Sequence, residues 1–291
     1  MNNMLFVAIF MGTLGSALAL VIALANRRLY VYEDPRIDQV EEMLPHSNCG
    51  ACGTAGCRNF AESVVAGSIA PGKCTVNTPQ QNIIIAKLLG VSAGQEEKKV
   101  ARLACAGGSH VASINASYKG ISSCRSAALI GGGGKTCTWG CLGMADCADV
   151  CDFGAISMNK FGLPVVDANK CTGCNDCVEI CPKDLFSLQP VSHKLWVACN
   201  SLANGDDADA ACEVACNGCA RCSVDAPAGL IRIQSNLAVI DYAHNALSSQ
   251  TPTERCPTGA IVWLDDMKGA IRGKSARKIV RQQTLPILSE V

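Results

Sequence analysis

Aromatic residues make up only 4% of this chain and charged residues only 17%. So little aromatic surface argues against a large conventional core. Metal binding, which contributes folding free energy to small domains, could take its place. Net charge is also lacking: the formal total is zero. It is unevenly spread, because six basic residues (Lys268, Arg272, Lys274, Arg277, Lys278, Arg281) and only Glu290 among the acids lie from Met267 onward. The rest is left with a charge of about −5, whereas a nucleic-acid binder presents a basic face. A nucleotide fingerprint is missing too. Gly131–Gly134 runs into Lys135–Thr136 like the end of a phosphate loop, but the pattern requires glycine at position 129, which is Leu129, and Cys137 stands where a helix would start. No flavin attachment signal and no catalytic triad is present. His46, His110, His193 and His244 stand isolated and read as surface or capping residues.

What the chain has instead is cysteine, 20 of them in 291 residues. A secreted disulfide scaffold is the alternative to a metal protein. Such scaffolds are short and need an oxidising compartment. Here the cysteines arrive in tight C-x2-C and C-x3-C groups, which converge on one metal site more readily than they bridge distant strands.

Leu5–Asn26 carries no charge and is long enough to span a bilayer as a helix. Arg27 and Arg28 follow directly, and Met1–Met4 has no basic side chain, so the C-terminal bulk is expected on the cytoplasmic side. A cleaved signal peptide would want a basic start and a shorter apolar run. Gly12 and Ser16 form a small-xxx-small pair that would let another helix approach. Tyr30–Asp38 reads as a juxtamembrane linker, Arg58–Ala66 and Gln80–Leu89 as short helices, and Ser92–Lys99 as a polar linker.

The chain then repeats itself. Cys151-Asp-Phe-Gly-Ala-Ile156, Cys181-Pro-Lys-Asp-Leu-Phe186, Ala226-Pro-Ala-Gly-Leu-Ile231 and Cys256-Pro-Thr-Gly-Ala-Ile261 align, and each leads into a short alternating stretch. Leu163–Asp167 matches Leu237–Asp241 in the same way. This is a small strand-and-helix unit, repeated around cysteines.

Cys171-x2-Cys174-x2-Cys177-x3-Cys181-Pro182 is the bacterial ferredoxin pattern for [4Fe–4S] clusters. Three closely spaced thiolates wrap one corner of a cubane, and the fourth crosses to the neighbouring cluster. Zinc also uses C-x2-C pairs but does not require this run. The partner motif, Cys137-x3-Cys141-x5-Cys147-x3-Cys151, is relaxed. Crossed ligation predicts one cluster on Cys171, Cys174, Cys177 and Cys151. It predicts a second on Cys137, Cys141, Cys147 and Cys181. Whether Cys137 or another cysteine completes that second set stays open, because Met144 occupies the place of the middle cysteine.

In the third lobe, Cys216, Cys219 and Cys222 form a triad, but Ala226 stands where the crossing cysteine belongs. Asn245 and Ser248 replace two cysteines of the next motif, and Cys256 survives. One complete ligand set is absent, so a single cluster on Cys216, Cys219, Cys222 and Cys256 is expected. A fourth set is Cys49-x2-Cys52-x4-Cys57-x16-Cys74, with Gly50, Gly53 and Gly56 permitting unusual turns; spacing alone leaves zinc open there. About four clusters, or about sixteen irons, follow.

Cys105, Cys124, Cys199 and Cys212 remain. Leu103-Ala104-Cys105 and Val197-Ala198-Cys199 look like repeated strand ends, which suits buried structural thiols. The four could also hold a further cluster. Cys212-x3-Cys216 mirrors Cys137-x3-Cys141, so Cys212 could instead replace a member of the third-lobe set.

An uncharged N-terminal helix, the segment Pro45-His-Ser-Asn-Cys-Gly-Ala-Cys-Gly-Thr-Ala-Gly-Cys57 with Cys74, and then ferredoxin repeats resemble the B subunit of the Rnf complex, its iron–sulfur electron-transport component. The cysteine-rich segment also resembles a domain of corrinoid iron–sulfur proteins, but no corrinoid-binding domain follows. The Rnf resemblance implies a complex that oxidises reduced ferredoxin and reduces NAD+, coupled to Na+ or H+ transport. This chain would be its electron-transfer subunit and would accept electrons from ferredoxin. NAD+ and flavin chemistry would sit on other membrane and soluble subunits. Some related complexes instead keep a redox-sensing transcription regulator reduced, and a donor of iron–sulfur units is a third reading.

The expected fold is α+β: a transmembrane helix, a small 4Fe–4S domain, then tandem ferredoxin-like repeats. The expected divisions are an anchor at 1–28, a single-cluster domain at 29–92, and an irregular linker at 93–135. A two-cluster ferredoxin-like domain at 136–190, a degenerate one-cluster domain at 191–266 and a solvated basic tail at 267–291 complete them. The chain is expected as a single-pass protein of the cytoplasmic membrane, in contact with the bilayer and with no nucleic-acid partner. The basic tail could dock on anionic lipid or an acidic partner.

Overall fold

A computed structural model describes residues 2–29, 33–94 and 96–288. Tyr30–Tyr32 of the juxtamembrane linker, Gln95 of the polar linker and Glu290 of the tail lie outside them. Helix α1 (Asn2–Leu29) contains the span Leu5–Leu29, whose most apolar 18-residue window has a mean hydropathy of 2.4 and is not buried against the rest of the chain. It is long and apolar enough to cross a membrane.

Three helices build the first domain. Helix α2 (Pro35–Glu42) starts on Asp34, whose carboxylate accepts the Arg36 N–H. Helix α3 (Cys57–Val65) and helix α4 (Pro79–Leu89) follow. In α4, Thr78 and Gln81 form a capping box and left-handed Gly90 ends the helix. Val40, Leu44, Phe60, Ala61, Val64 and Ile85 meet in a compact core. On the surface, Arg58 pairs with Asp38, with Glu33 at 2.5 Å, with Glu41 at 2.7 Å and with Glu62 at 3.8 Å. Glu41 first, then Asp38 and Glu33, raise the guanidinium's pKa further. The hub ties the chain just after the apolar helix to α3. Arg58→Met is therefore expected to lower the domain's melting temperature in dilute buffer. The difference should shrink in 1 M salt, because exposed pairs are screened.

Nine short strands follow: β1 (Lys99–Leu103), β2 (Ile156–Met158), β3 (Pro164–Val166), β4 (Phe186–Pro190), β5 (Leu195–Val197), β6 (Ile231–Gln234), β7 (Leu237–Ile240), β8 (Ile261–Asp265) and β9 (Gly269–Arg272). They form two lobes of one design. In the first, β1 pairs antiparallel with β4, and β2–β3 is a hairpin. In the second, β5 pairs antiparallel with β8, and β6–β7 is the hairpin. The cores are small and contain cysteine: Val100, Ile156 and Phe186 pack with Cys147, Cys171 and Cys177, and Leu195, Leu230 and Ile261 pack with Cys222 and Cys256.

Three segments differ from the sequence-based expectation. Pro35–Asp38, read as part of the juxtamembrane linker, already belongs to α2. The segment 93–135 is not merely a linker, because β1 lies in it and is the first strand of the first lobe. The basic tail does not stand free in solvent. Strand β9 extends the β5–β8 sheet, the Leu285 and Leu288 amides donate to Ser109 and Ile114 carbonyls, and Arg281 pairs with Glu213 at 3.0 Å. The lobes and first domain also touch. Trp196 Nε1 donates to the Leu103 carbonyl at 2.9 Å, and Thr75 Oγ1 donates to the Thr172 carbonyl at 2.5 Å. Two of the isolated histidines are packed rather than free: His110 stacks on Phe161 and His193 on Tyr242. Burial lowers both imidazole pKa values, which favours the neutral rings.

Candidate iron–sulfur centres

The backbone around the cysteines repeats from lobe to lobe. Gly143, Gly173 and Gly218 each stand two residues after the first cysteine of a motif, with φ of 75°, 74° and 67°. A Cβ at each would come within 3.0 Å or less of a backbone carbonyl: Gly162, Lys99 and Asn236 respectively. Only glycine fits this left-handed, crowded position. Two residues before the third cysteine, Ala145, Asn175 and Ala220 are left-handed as well and start the short helices that carry Cys147, Cys177 and Cys222. The turn throws successive thiols to one side of the loop. Gly173→Ala is expected to cost at least about 1–2 kcal/mol, the price of a left-handed non-glycine residue. A chelator should then strip iron from that lobe faster than from the unaltered protein.

Four of the cavities walled by cysteine draw on the motifs of the first domain and the two lobes. Cys49, Cys52, Cys57 and Cys74 line one of about 310 Å³. Asn48 Oδ1 accepts the Cys57 N–H at 2.8 Å and would lie only 2.9 Å from a Gly56 Cβ, so Gly56 serves close approach, with extended backbone, while Gly50 and Gly53 supply the positive φ. Cys151, Cys171, Cys174 and Cys177 line a second, of about 330 Å³, and Cys216, Cys219, Cys222 and Cys256 a third, of about 340 Å³. These are three of the quartets expected from spacing.

The fourth cavity departs from expectation. Its cysteines are Cys124, Cys141, Cys147 and Cys181, around about 340 Å³. Cys137 lines a different cavity. Cys141, Cys147 and Cys151 precede Cys171, Cys177 and Cys181 by one constant interval, which puts Met144 opposite Cys174. Cys124 fills the vacancy from outside the motif. It begins the helix Cys124–Leu129, and Asp146, next to Cys147, anchors that helix. The Asp146 carboxylate accepts the Ser123 hydroxyl at 2.9 Å, the Cys124 N–H at 2.9 Å and the Arg125 N–H at 3.4 Å. Sequence reasoning missed Cys124; the signal was Met144 itself, an incomplete motif beside an unplaced cysteine.

All 20 cysteines are free of disulfides. Among the described residues, no group of three or more His, Cys, Asp or Glu is placed to hold a single metal ion. A zinc ion would draw four sulfurs to about 2.3 Å from one point. Four thiols that line one cavity without the geometry of a single-ion site suit a polynuclear group instead. Backbone amides aim at the sulfurs: Ala101 N–H donates to Cys171 Sγ and Ala155 N–H to Cys151 Sγ, both at 3.4 Å. Burial pushes the thiols of Cys141, Cys147, Cys177 and Cys222 up to about 12 and that of Cys174 to about 11. Iron would bind the deprotonated form, so cluster assembly releases these protons.

An apolar N-terminal helix, a small four-cysteine domain and two cysteine-walled ferredoxin-like lobes define an iron–sulfur electron-transfer protein. Two family models match: one described as "Putative Fe-S cluster" over residues 44–76, and one for a 4Fe-4S binding domain over residues 163–186. The B subunit of the proton-translocating ferredoxin:NAD(+) oxidoreductase complex of Clostridium ljungdahlii is 40% identical, over 90% of this chain and 93% of that protein. The B subunit of the Na(+)-translocating ferredoxin:NAD(+) oxidoreductase complex of Acetobacterium woodii is 36% identical, over 90% and 78%. The B subunit of the ion-translocating oxidoreductase complex of Methanosarcina acetivorans is 37% identical, over 78% and 86%. The chain belongs to this family, the B subunits of the Rnf complexes.

Proposed function

We propose that this chain takes single electrons from reduced ferredoxin and relays them to other subunits of an Rnf-type complex, which reduces NAD+ and moves Na+ or H+. The observation that carries this reading is the succession of cysteine cavities from the lobes to the domain behind the apolar helix. Cys177 and Cys181, on one helical turn, serve two neighbouring cavities, and so do Cys147 and Cys151. Thr75 follows Cys74, and its hydroxyl donates to the carbonyl of Thr172, which follows Cys171. The lobes and the first domain thus meet beside their cysteines.

Four of the sets that would hold clusters are Cys49, Cys52, Cys57 and Cys74; Cys151, Cys171, Cys174 and Cys177; Cys124, Cys141, Cys147 and Cys181; and Cys216, Cys219, Cys222 and Cys256. A bound [4Fe–4S] cluster supplies a one-electron carrier, with a potential set by charge, hydrogen bonds to sulfur and exposure. The protein's part is to fix these surroundings. The Ala101 and Ala155 amides withdraw charge from two sulfurs of one set. Cys219 is exposed, which places the second lobe's cavity within reach of a soluble donor. Helix α1 would cross the cytoplasmic membrane once. Arg27 and Arg28 in its last turn hold the bulk of the chain on the cytoplasmic side.

The test uses membranes that contain the whole complex. Removing this chain is expected to abolish NAD+ reduction driven by reduced ferredoxin, and resupplying it should restore the rate. An undiminished rate without the chain would overturn the proposal.

A further inference from the structure

Cys105, Cys137, Cys199 and Cys212 lie outside those four sets, yet they line one cavity of about 320 Å³, between the two lobes. We propose that these four cysteines hold a fifth [4Fe–4S] cluster, placed between the pair of sites in the first lobe and the single site in the second. The inference rests on the reading that the other quartets hold clusters.

The site is built twice over, once from each lobe. Cys105 follows the end of β1 by two residues, and Cys199 follows the end of β5 by two. The strands are equivalent, since β1 pairs with β4 as β5 pairs with β8. Cys137 stands four residues before Cys141, the first cysteine of the motif that follows; Cys212 stands four before Cys216. The hydrogen bonds repeat too. The Cys141 amide donates to Cys105 Sγ at 3.4 Å, and the Cys216 amide donates to Cys199 Sγ at 3.3 Å. Ser201 N–H adds a second bond to Cys199 Sγ at 3.4 Å. Each lobe therefore supplies one strand-end thiol, one thiol ahead of its motif, and one amide aimed at sulfur.

The surroundings fit a cluster better than four inert thiols. A structural cysteine packs as a small apolar side chain. Here four thiols instead surround a cavity of the same size as the other four, and every cysteine of the chain lines one of the five. Gly107 lets the backbone close on the sulfurs: a Cβ there would lie 3.1 Å from Cys212 Sγ and 3.7 Å from Cys105 Sγ. Lys135 also lines the cavity. Its ammonium donates to the Gly107 carbonyl at 2.5 Å and the Cys141 carbonyl at 2.7 Å, fixing a positive charge where four thiolates would gather. The antiparallel bridge between Ala112 and Cys212, with Val111, Ala208 and Val214 buried around it, seals the cavity's far side.

The position gives the site its meaning. Through Cys137 and Cys141 the cavity abuts the Cys124 set, and through Cys212 and Cys216 it abuts the Cys216 set. It is the link that would join the second lobe's site to the others.

The full-length chain, purified without oxygen in detergent, decides the matter. Unaltered protein is expected to hold about twenty irons and as many acid-labile sulfides, at four per cubane. Cys199→Ser with Cys212→Ser, and separately Cys105→Ser, should each hold about sixteen, with one spin fewer in the electron paramagnetic resonance of the dithionite-reduced protein. About sixteen irons in unaltered protein, with the same count and spectrum in the variants, would overturn the fifth site alone. Protein without iron or sulfide in every form would overturn the underlying reading as well. Should a variant fail to fold, the count in unaltered protein still decides, about twenty against about sixteen.

Discussion

Cys124→Ser is expected to remove one cluster, about four irons, from the first lobe and to break its paired magnetic signature. Cys147 and Cys151, like Cys177 and Cys181, divide between the two cavities, so clusters held there would couple their spins when both are reduced. Without Cys124 the cavity keeps Cys141, Cys147 and Cys181 only. Cys137→Ser should leave that coupled signal intact, because Cys137 faces the other cavity. Spacing alone favours the opposite outcome, since Cys137 stands at the head of the partner motif. Electron paramagnetic resonance of the two reduced variants, read beside their iron content, separates these assignments. A coupled signal that survives loss of Cys124 and vanishes with loss of Cys137 would show that spacing was the better guide.

The second large effect concerns the first domain. Cys49→Ser with Cys52→Ser is expected to bring ferredoxin-driven NAD+ reduction in whole membranes to background. In single-turnover mixing, reduced ferredoxin should still bleach the clusters of the lobes. The split follows from position. The Cys49 set lies in the domain directly behind the apolar helix, and contact with the first lobe runs from Thr75 to Thr172. The lobes fold around their own cores and do not draw on Val40, Phe60 or Ile85. Undiminished NAD+ reduction would mean that electrons leave the lobes by another path.

Much of this was legible in the sequence, and the reason is local geometry. A loop that aims three thiols within seven residues writes its spacing into the chain, so Cys171, Cys174 and Cys177 announce themselves. Crossed ligation then pointed to Cys151 and Cys256, which line the same cavities as those triads. Short helices with clear caps were legible as well: α4 begins on Thr78 and ends on Gly90, close to the stretch read as helical. What stayed hidden depends on contacts between residues distant in sequence. The strand end at Leu103 was legible from its likeness to Val197, but the pairing of β1 with β4, far along the chain, was not. Cys124 reaches its cavity because Asp146 caps its helix, a bond between two segments that spacing treats as unrelated. The C-terminal segment looked like a solvated basic run because its partners, Glu213 and the edge of β8, lie in other repeats. Of its six cations, Arg281 pairs with Glu213 and Lys274 with Glu254, which fastens this segment to the body.

The two-lobe symmetry also explains why the unplaced cysteines were hard to assign. Cys105 and Cys199 each look like a lone thiol at a strand end. Only when the lobes face each other do they become halves of one site.

The central claim is that cysteine quartets of this chain grip iron–sulfur cubanes. Metal and sulfide analysis of oxygen-protected, full-length protein tests it most directly. The expected result is brown protein with iron and acid-labile sulfide in equal amounts, four of each per quartet, and negligible zinc. Colourless protein carrying zinc and no sulfide would contradict it.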